Sequence, residues 1–194
     1  MTANHRPSLP LTSSLYWLAL VMLLGLAAFM VPAVHASNTR LVVRKTDAHV
    51  RAAQACERNL DRDRAPHPTR RLYARSESMP FRHWAYGLWR GRSVRCQAQV
   101  SFLNAYPPRA IRYVFSRIGQ ESIALTVAER EGGGGYCTRA WNPAGYAGCF
   151  QMGQWARDRY GHGSTALEQS WAAYFYVRDA RGWCSGWAAT APGC

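Results

Sequence analysis

The stretch Ser122-Ile-Ala-Leu-Thr-Val-Ala-Glu-Arg-Glu-Gly-Gly-Gly-Gly135 is an apolar helical run that carries a carboxylate at its end and then dissolves into glycine. At about 100° per residue, Ile123, Ala124, Val127, Ala128 and Glu131 fall on one face, so Glu131 points the way the core points. Glu129, about 200° away, shares the opposite side with Ser122 and Leu125 and reads as a solvated carboxylate. Partial burial disfavours the charged form of Glu131, and so does the negative end of the helix macrodipole. Both favour the protonated carboxyl that general-acid chemistry on a glycosidic oxygen requires. The same position also suits a plain surface carboxylate ahead of a glycine C-cap.

On the N-terminal side of this run, Pro107-Pro108 starts a fresh unit. Ile111, Val114, Phe115 and Ile118 then follow the i, i+3, i+4, i+7 spacing of a compact amphipathic helix closed by Gly119. Two short antiparallel helices are expected. On the other side, Tyr136 to Met152 places the turn Asn142-Pro143-Ala144-Gly145 between two aromatic-rich arms, an irregular hairpin clamped at its base by Cys137 and Cys149. Gln154 to Tyr160 reads as a short helix and Gly161-His-Gly163 as a turn. Thr165-Ala-Leu-Glu168 has the spacing of a capping box and opens a helix to about Ala180, ended by Gly182. His162 lies far from any second ligand-spaced His or Cys, so it reads as a turn residue, and no metal site is expected. Trp183 and Trp187 flank Cys184 in a glycine-rich tail. So short a loop is expected to leave part of an indole face exposed as a platform for a sugar ring.

The first 36 residues read as an export signal. Arg6 precedes an apolar run from Leu15 to Met30, and Val34-His-Ala36 is a small-x-small cleavage site, which favours removal over retention as an anchor. From Ser37 to Thr46 there is no helical period, the mark of a linker or loose strand. Asp47 to Leu60 is a plausible helix, Arg62 to Pro80 a solvated loop, and Phe81 to Leu103 a helix with a weak point at Gly87 or Gly91. Trp84 and Trp89 read as packing residues.

The cysteines, Cys56, Cys96, Cys137, Cys149, Cys184 and Cys194, are even in number and lack CxxC spacing, which points to a disulfide framework in an exported chain. Proximity favours Cys137 with Cys149 and Cys184 with Cys194, leaving Cys56 with Cys96. The net charge of +13, which loses one unit when Arg6 leaves, calls for an anionic partner such as nucleic acid, anionic lipid or a wall polymer. Nucleic acid fits poorly, because the arginines are dispersed and the chain is exported. A membrane-active protein would need a long helix basic on one face, and none follows the signal.

Taken in order, the helix ending Val-Ala-Glu-Arg-Glu131-Gly-Gly, then Asn142-Pro143, then Tyr146-Ala-Gly148-Cys-Phe150-Gln151-Met, then Trp155, resembles the lysozyme-like superfamily, specifically its secreted lytic-transglycosylase and resuscitation-promoting-factor group. The resemblance covers roughly Ala110 to Trp187. It implies a mainly α (α+β) chain in which a lysozyme-like helical domain with a small disulfide-clamped hairpin, residues 107–194, follows a helical N-terminal region, residues 37–106, and the signal, residues 1–36. Glu131 matches the family's catalytic acid, and Gly148, Phe150 and Gln151 match its substrate-cleft segment, flanked by Tyr146 and Trp155. Gly132 stands where the family usually has Ser, and Cys149 where Leu is usual.

The implied substrate is peptidoglycan, cut at the β-1,4 bond between N-acetylmuramic acid and N-acetylglucosamine by a secreted or wall-associated monomer without a cofactor. Glycosidases usually employ a second carboxylate, yet no Asp or Glu lies between Glu131 and Asp158. A single-acid mechanism with a 1,6-anhydro product is therefore expected, with hydrolysis assisted by Asp158 as the alternative. The rival from another class is a wall-binding module that keeps the cleft without turnover.

Overall fold

The computed structural model describes residues 38–62, 71–133, 135–137 and 141–194. The export segment, residues 1–36, lies outside them, as do residues 63–70 of the expected loop and 138–140 of the expected hairpin arm.

Among the described residues the chain is mainly helical and forms no extended strand. The first helix, α1, covers residues 38–60. It is followed by α2, Leu72–Arg75, and the long α3, Met79–Asn104. Next come α4, Pro107–Phe115, with a 3₁₀ turn at Ser116–Ile118, and α5, Glu121–Glu131. The chain ends with α6, Gln154–Tyr160, α7, Ala166–Asp179, and α8, Cys184–Trp187.

Two expectations for the N-terminal region are corrected. Residues 38–46, read as a linker or loose strand, are helical, and the loop expected from Arg62 to Pro80 contains α2 and the start of α3. The second miss follows from Pro80, which costs nothing in the first turn of a helix, where the N–H has no partner in any case. Gly87 and Gly91 do not break α3.

Among the described residues two compact units divide within α1 and α3: one comprises residues 38–47 and Arg71–Tyr86, the other residues 48–62 and those from Gly87 onward. In the first, Tyr73 is buried and its hydroxyl donates to Asp47 Oδ1 at 2.6 Å, while Arg71 pairs with the same carboxylate. Burial, then the bond to Asp47, pushes the Tyr73 phenol above its ordinary pKa. Trp84, read as a packing residue, is instead 60% exposed and stacks on Phe81 at 5.6 Å.

In the second unit the later part of α1 is stapled to α3 by Cys56–Cys96 and by the pair Glu57–Arg92. Its core is built on α4 and α7. Ile111, Val114 and Phe115 of α4 are fully buried, as are Leu167, Trp171, Ala172 and Ala173 of α7. Ile118, in phase with this face by count, lies in the 3₁₀ turn and is 36% exposed. Gly119 then takes the left-handed conformation, φ +64°, that turns the chain into α5. The N-terminus of α7 is capped twice: Thr165 and Glu168 form the expected capping box, and Asn104 Oδ1 accepts from Leu167 N at 3.0 Å.

Candidate active site

Helix α5 buries Ala124, Val127 and Ala128, leaves Ile123 half-buried at the margin, and sends Glu129 into solvent. Glu131, in phase with the buried face, is half-buried at the last position of the helix. Its Oε1 accepts a hydrogen bond from Thr190 Oγ1 at 2.7 Å. Arg130, its neighbour, donates from Nη1 to the carbonyl oxygen of the same Thr190 at 2.8 Å.

Gly132 caps the helix, with its N–H donating to Ala128 O at 2.9 Å. A Cβ here would stand 2.6 Å from that same oxygen and 3.0–3.1 Å from the backbone of Tyr136 and Cys137. The returning chain therefore admits no side chain at 132. The hydroxyl beside Glu131 is that of Thr190, 59 residues along the chain.

Cys137–Cys149 ties the chain leaving Glu131 to the segment Gly148–Met152, and the other two expected pairs, Cys56–Cys96 and Cys184–Cys194, are also formed. Among the described residues of the hairpin the pairing consists of single bridges, Trp141 with Ala147 and Ala147 with Met152. Its turn is held by Asn142, whose Oδ1 accepts from Ala144 N at 3.0 Å and Tyr146 N at 3.1 Å. Gly148 takes φ +79° and lies against His162 and Gln169; Gln169 Oε1 accepts from Cys149 N at 2.9 Å. His162 Nε2 lies 3.2 Å from Ala147 O. Burial lowers the pKa of this imidazole below its ordinary value; the Ala147 carbonyl opposes that shift and Arg157 adds to it. No group of three or more His, Cys, Asp or Glu residues suited to a metal ion occurs among the described residues.

The expected substrate residues separate into two sets. Tyr146 and Trp155 are exposed, joined by Trp141, which the sequence reading did not single out. Arg157 lies 4.6 Å from the ring centre of Trp141 and is itself held by the carbonyls of Gly145 and Met152.

Phe150, Gln151, Trp183 and Trp187 are buried, and the expectation that the tail leaves part of an indole face exposed is corrected. Phe150 packs 5.8 Å from Phe115, and Gln151 Nε2 donates to Gly148 O at 2.9 Å. The two tail indoles, 5% exposed, are covered because an aromatic floor of Phe115, Phe150 and Tyr176 lies beneath the tail. Their N–H groups are satisfied inside it, Trp183 by Gln120 Oε1 and Trp187 by Phe150 O, both at 2.7 Å.

Asp158 is exposed on α6. A cavity of about 660 Å³ lined by Arg58, Asp61, Arg62, Tyr160, Glu168 and Phe175, among others, shares no residue with the Glu131 end of α5. Two of its charges face each other, Arg62 lying 3.5 Å from Glu168, and Asp61 accepts from Arg117 at 2.9 Å.

Comparison with protein-family models, with curated proteins and with solved structures finds no match for this chain. No helix among the described residues is long and apolar enough to cross a membrane, and the three disulfides fit an oxidising compartment.

Proposed function

We propose that the protein is a secreted peptidoglycan-cleaving glycosidase in which Glu131 is the general acid. The observation that carries this reading is a half-buried carboxyl group at the last position of α5, held through one oxygen and followed by a turn too tight for a side chain. A carboxyl so held presents its other oxygen, Oε2, for proton transfer. The proton passes to the bridging oxygen as the C1–O bond of the muramic acid residue breaks. The sugar's own acetamido oxygen takes the place of the leaving group at C1, and the 6-hydroxyl then displaces it and returns its proton to Glu131, leaving a 1,6-anhydro end. Water in place of that hydroxyl gives hydrolysis, the lysozyme-type outcome, and Asp158 on the solvent side of α6 is the residue to assist it.

The exposed rings of Trp141, Tyr146 and Trp155 favour a second reading, a wall-binding module of the same architecture without turnover. Digestion of purified peptidoglycan, with mass analysis of the fragments, separates the two. An enzyme releases muropeptides, those with an anhydro end being one water lighter than hydrolysis products. Glu131→Gln, which keeps shape but loses the transferable proton, should cut the rate by about 10²- to 10⁴-fold while binding persists. Glu129→Gln, on the solvated face, should cost little. Wild-type protein that binds walls and releases nothing establishes the module; Glu131→Gln lysing as fast as wild type removes Glu131 from the chemistry.

A further inference from the structure

We propose that Thr190 is a positioning residue for the Glu131 carboxyl group, and that the disulfide-closed C-terminal turn holds it in place. This inference rests on the reading of Glu131 as general acid. Two consecutive residues at the end of α5 grip opposite ends of Thr190: Glu131 Oε1 accepts from its hydroxyl at 2.7 Å and Arg130 donates to its carbonyl at 2.8 Å.

The backbone around Thr190 is anchored independently of these bonds. Thr190 N donates to Trp187 O at 3.0 Å and Ala191 N to the same oxygen at 2.7 Å, with Ala191 buried. Trp187 is in turn fixed through its indole N–H to the carbonyl of Phe150. Cys184–Cys194 closes the turn across ten positions. A continuous chain of contacts thus runs from the Gly148–Met152 segment through Trp187 to Thr190 and Glu131.

The chemical consequence follows from the proton count of a hydroxyl. Thr190 has one proton, and donating it to Oε1 leaves Oε2 as the oxygen free to carry the transferable proton. It also fixes the rotation of the carboxyl plane, which a terminal helical Glu would otherwise sample broadly. An acid that must meet one glycosidic oxygen loses rate steeply when misplaced. Residue 132 cannot supply this hydroxyl, since a Cβ there would meet Ala128 O at 2.6 Å.

The test uses the full, oxidised protein with Thr190→Val, which keeps the shape and loses the donor, and Thr190→Ser, which keeps the donor. On soluble peptidoglycan fragments kcat should fall roughly 10- to 100-fold in Thr190→Val with KM unchanged, and recover in Thr190→Ser. The side-chain carboxyl ¹³C resonance of Glu131 should be displaced by Val and restored by Ser. Should Thr190→Val fold poorly, Thr190→Ala carries the same comparison. An active wild type with Thr190→Val equally fast overturns the role of Thr190 and leaves the acid in place. A loss that Ser does not rescue, or one confined to KM, also overturns it, since packing alone would then account for the effect. Wild type that releases no fragments while binding walls overturns the glycosidase reading itself, and this proposal with it.

Discussion

Two short disulfide-closed segments of this protein each carry a tryptophan among glycines, and they treat it oppositely. In the tail closed by Cys184–Cys194, Trp187 and the preceding Trp183 are 5% exposed, with both indole N–H groups paired inside the core. In the hairpin closed by Cys137–Cys149, Trp141 is 63% exposed, and Trp155 just beyond it 65%. Loop length does not separate them. What differs is the surface each meets: the tail lies on Phe115, Phe150 and Tyr176, whereas Trp141 and Trp155 face the guanidinium groups of Arg157 and Arg159. An indole over an arginine keeps one face in water, because the cation gains from the ring without wanting to leave solvent.

The largest effect expected from this contrast is on stability. Trp187→Ala should cost about 3–5 kcal/mol, the usual range for an aromatic truncated in a core. Trp187→Phe should cost less, about 1–3 kcal/mol, chiefly because the Phe150 carbonyl is left without its donor. Urea unfolding of the oxidised protein measures both. A Trp187→Ala variant as stable as wild type would mean that the tail is a loose platform after all, and would erase the distinction between the two segments.

Next in size is Gly148→Ala, which probes the hairpin's support. A Cβ there would stand 2.4 Å from His162 Nε2 and 2.6 Å from Gln169 Oε1, at a φ of +79°. Neither neighbour yields freely, since His162 sits against Ala147 O and Gln169 holds Cys149 N. Overpacking of this kind typically costs about 1–3 kcal/mol, and the left-handed backbone adds about 1–2 kcal/mol. Gly145→Ala, at φ +80° but with open space around it, should show the backbone cost alone, and the difference in unfolding free energy isolates the packing of the Gly148 turn.

Local patterns in the sequence were enough for much of this. The spacing of Ile111, Val114 and Phe115, the Thr165–Glu168 box and the phase of Glu131 relative to Ala124 and Val127 each involve residues within a few turns of one another. So do two of the disulfides, and exhaustion leaves the third. The contacts that fail to appear in the sequence join distant residues: Thr190 to Glu131, Gln120 to Trp183, Asn104 to the start of α7. The burial of Trp183 and Trp187 belongs with these, since it is decided by Phe115 and Phe150 and not by their own neighbours. Residues 38–46 were misread for a related reason. Thr46 is fully buried with its hydroxyl on Val42 O, so a polar residue occupies an inward position and hides the apolar period.

A smaller effect, confined to the hairpin, should depend on pH. His162 is half-buried beside Gly148, and burial holds its imidazole below its ordinary pKa, with Arg157 adding to the shift and Glu168 opposing it. In the unfolded chain the ring takes up a proton near pH 6.5; in the fold it does so only at lower pH. Between those points the unfolded state binds more protons, so stability falls as pH drops below about 6.5 and is fully present above it. His162→Gln should flatten that part of the stability curve relative to wild type. The tail holds no His of its own, so Trp187→Ala should keep the fall below about pH 6.5 and lower the curve as a whole.

The least effect on stability is expected where the effect on binding should be clearest. Trp141→Ala and Trp155→Ala remove rings that are mostly in solvent, and substitutions of that kind usually stay within about 0.5 kcal/mol. If these rings form the wall-facing surface, each variant should bind insoluble peptidoglycan more weakly at unchanged melting temperature, and the pair together more weakly still. Trp155 is the cleaner probe, because its arginine, Arg159, lies 5.7 Å from the ring centre, whereas Arg157 lies 4.6 Å from that of Trp141 and is anchored on the carbonyls of Gly145 and Met152. Arg157→Met separates the two contributions: it keeps length and loses the charge, so a drop in affinity equal to that of Trp141→Ala would mean that Arg157 positions the ring, while an unchanged affinity would mean the ring acts alone. Sedimentation of protein with washed walls reads the four variants beside wild type in one experiment. Full affinity in the Trp141–Trp155 double variant would remove both indoles from recognition and leave Tyr146 as the one remaining ring of that exposed set.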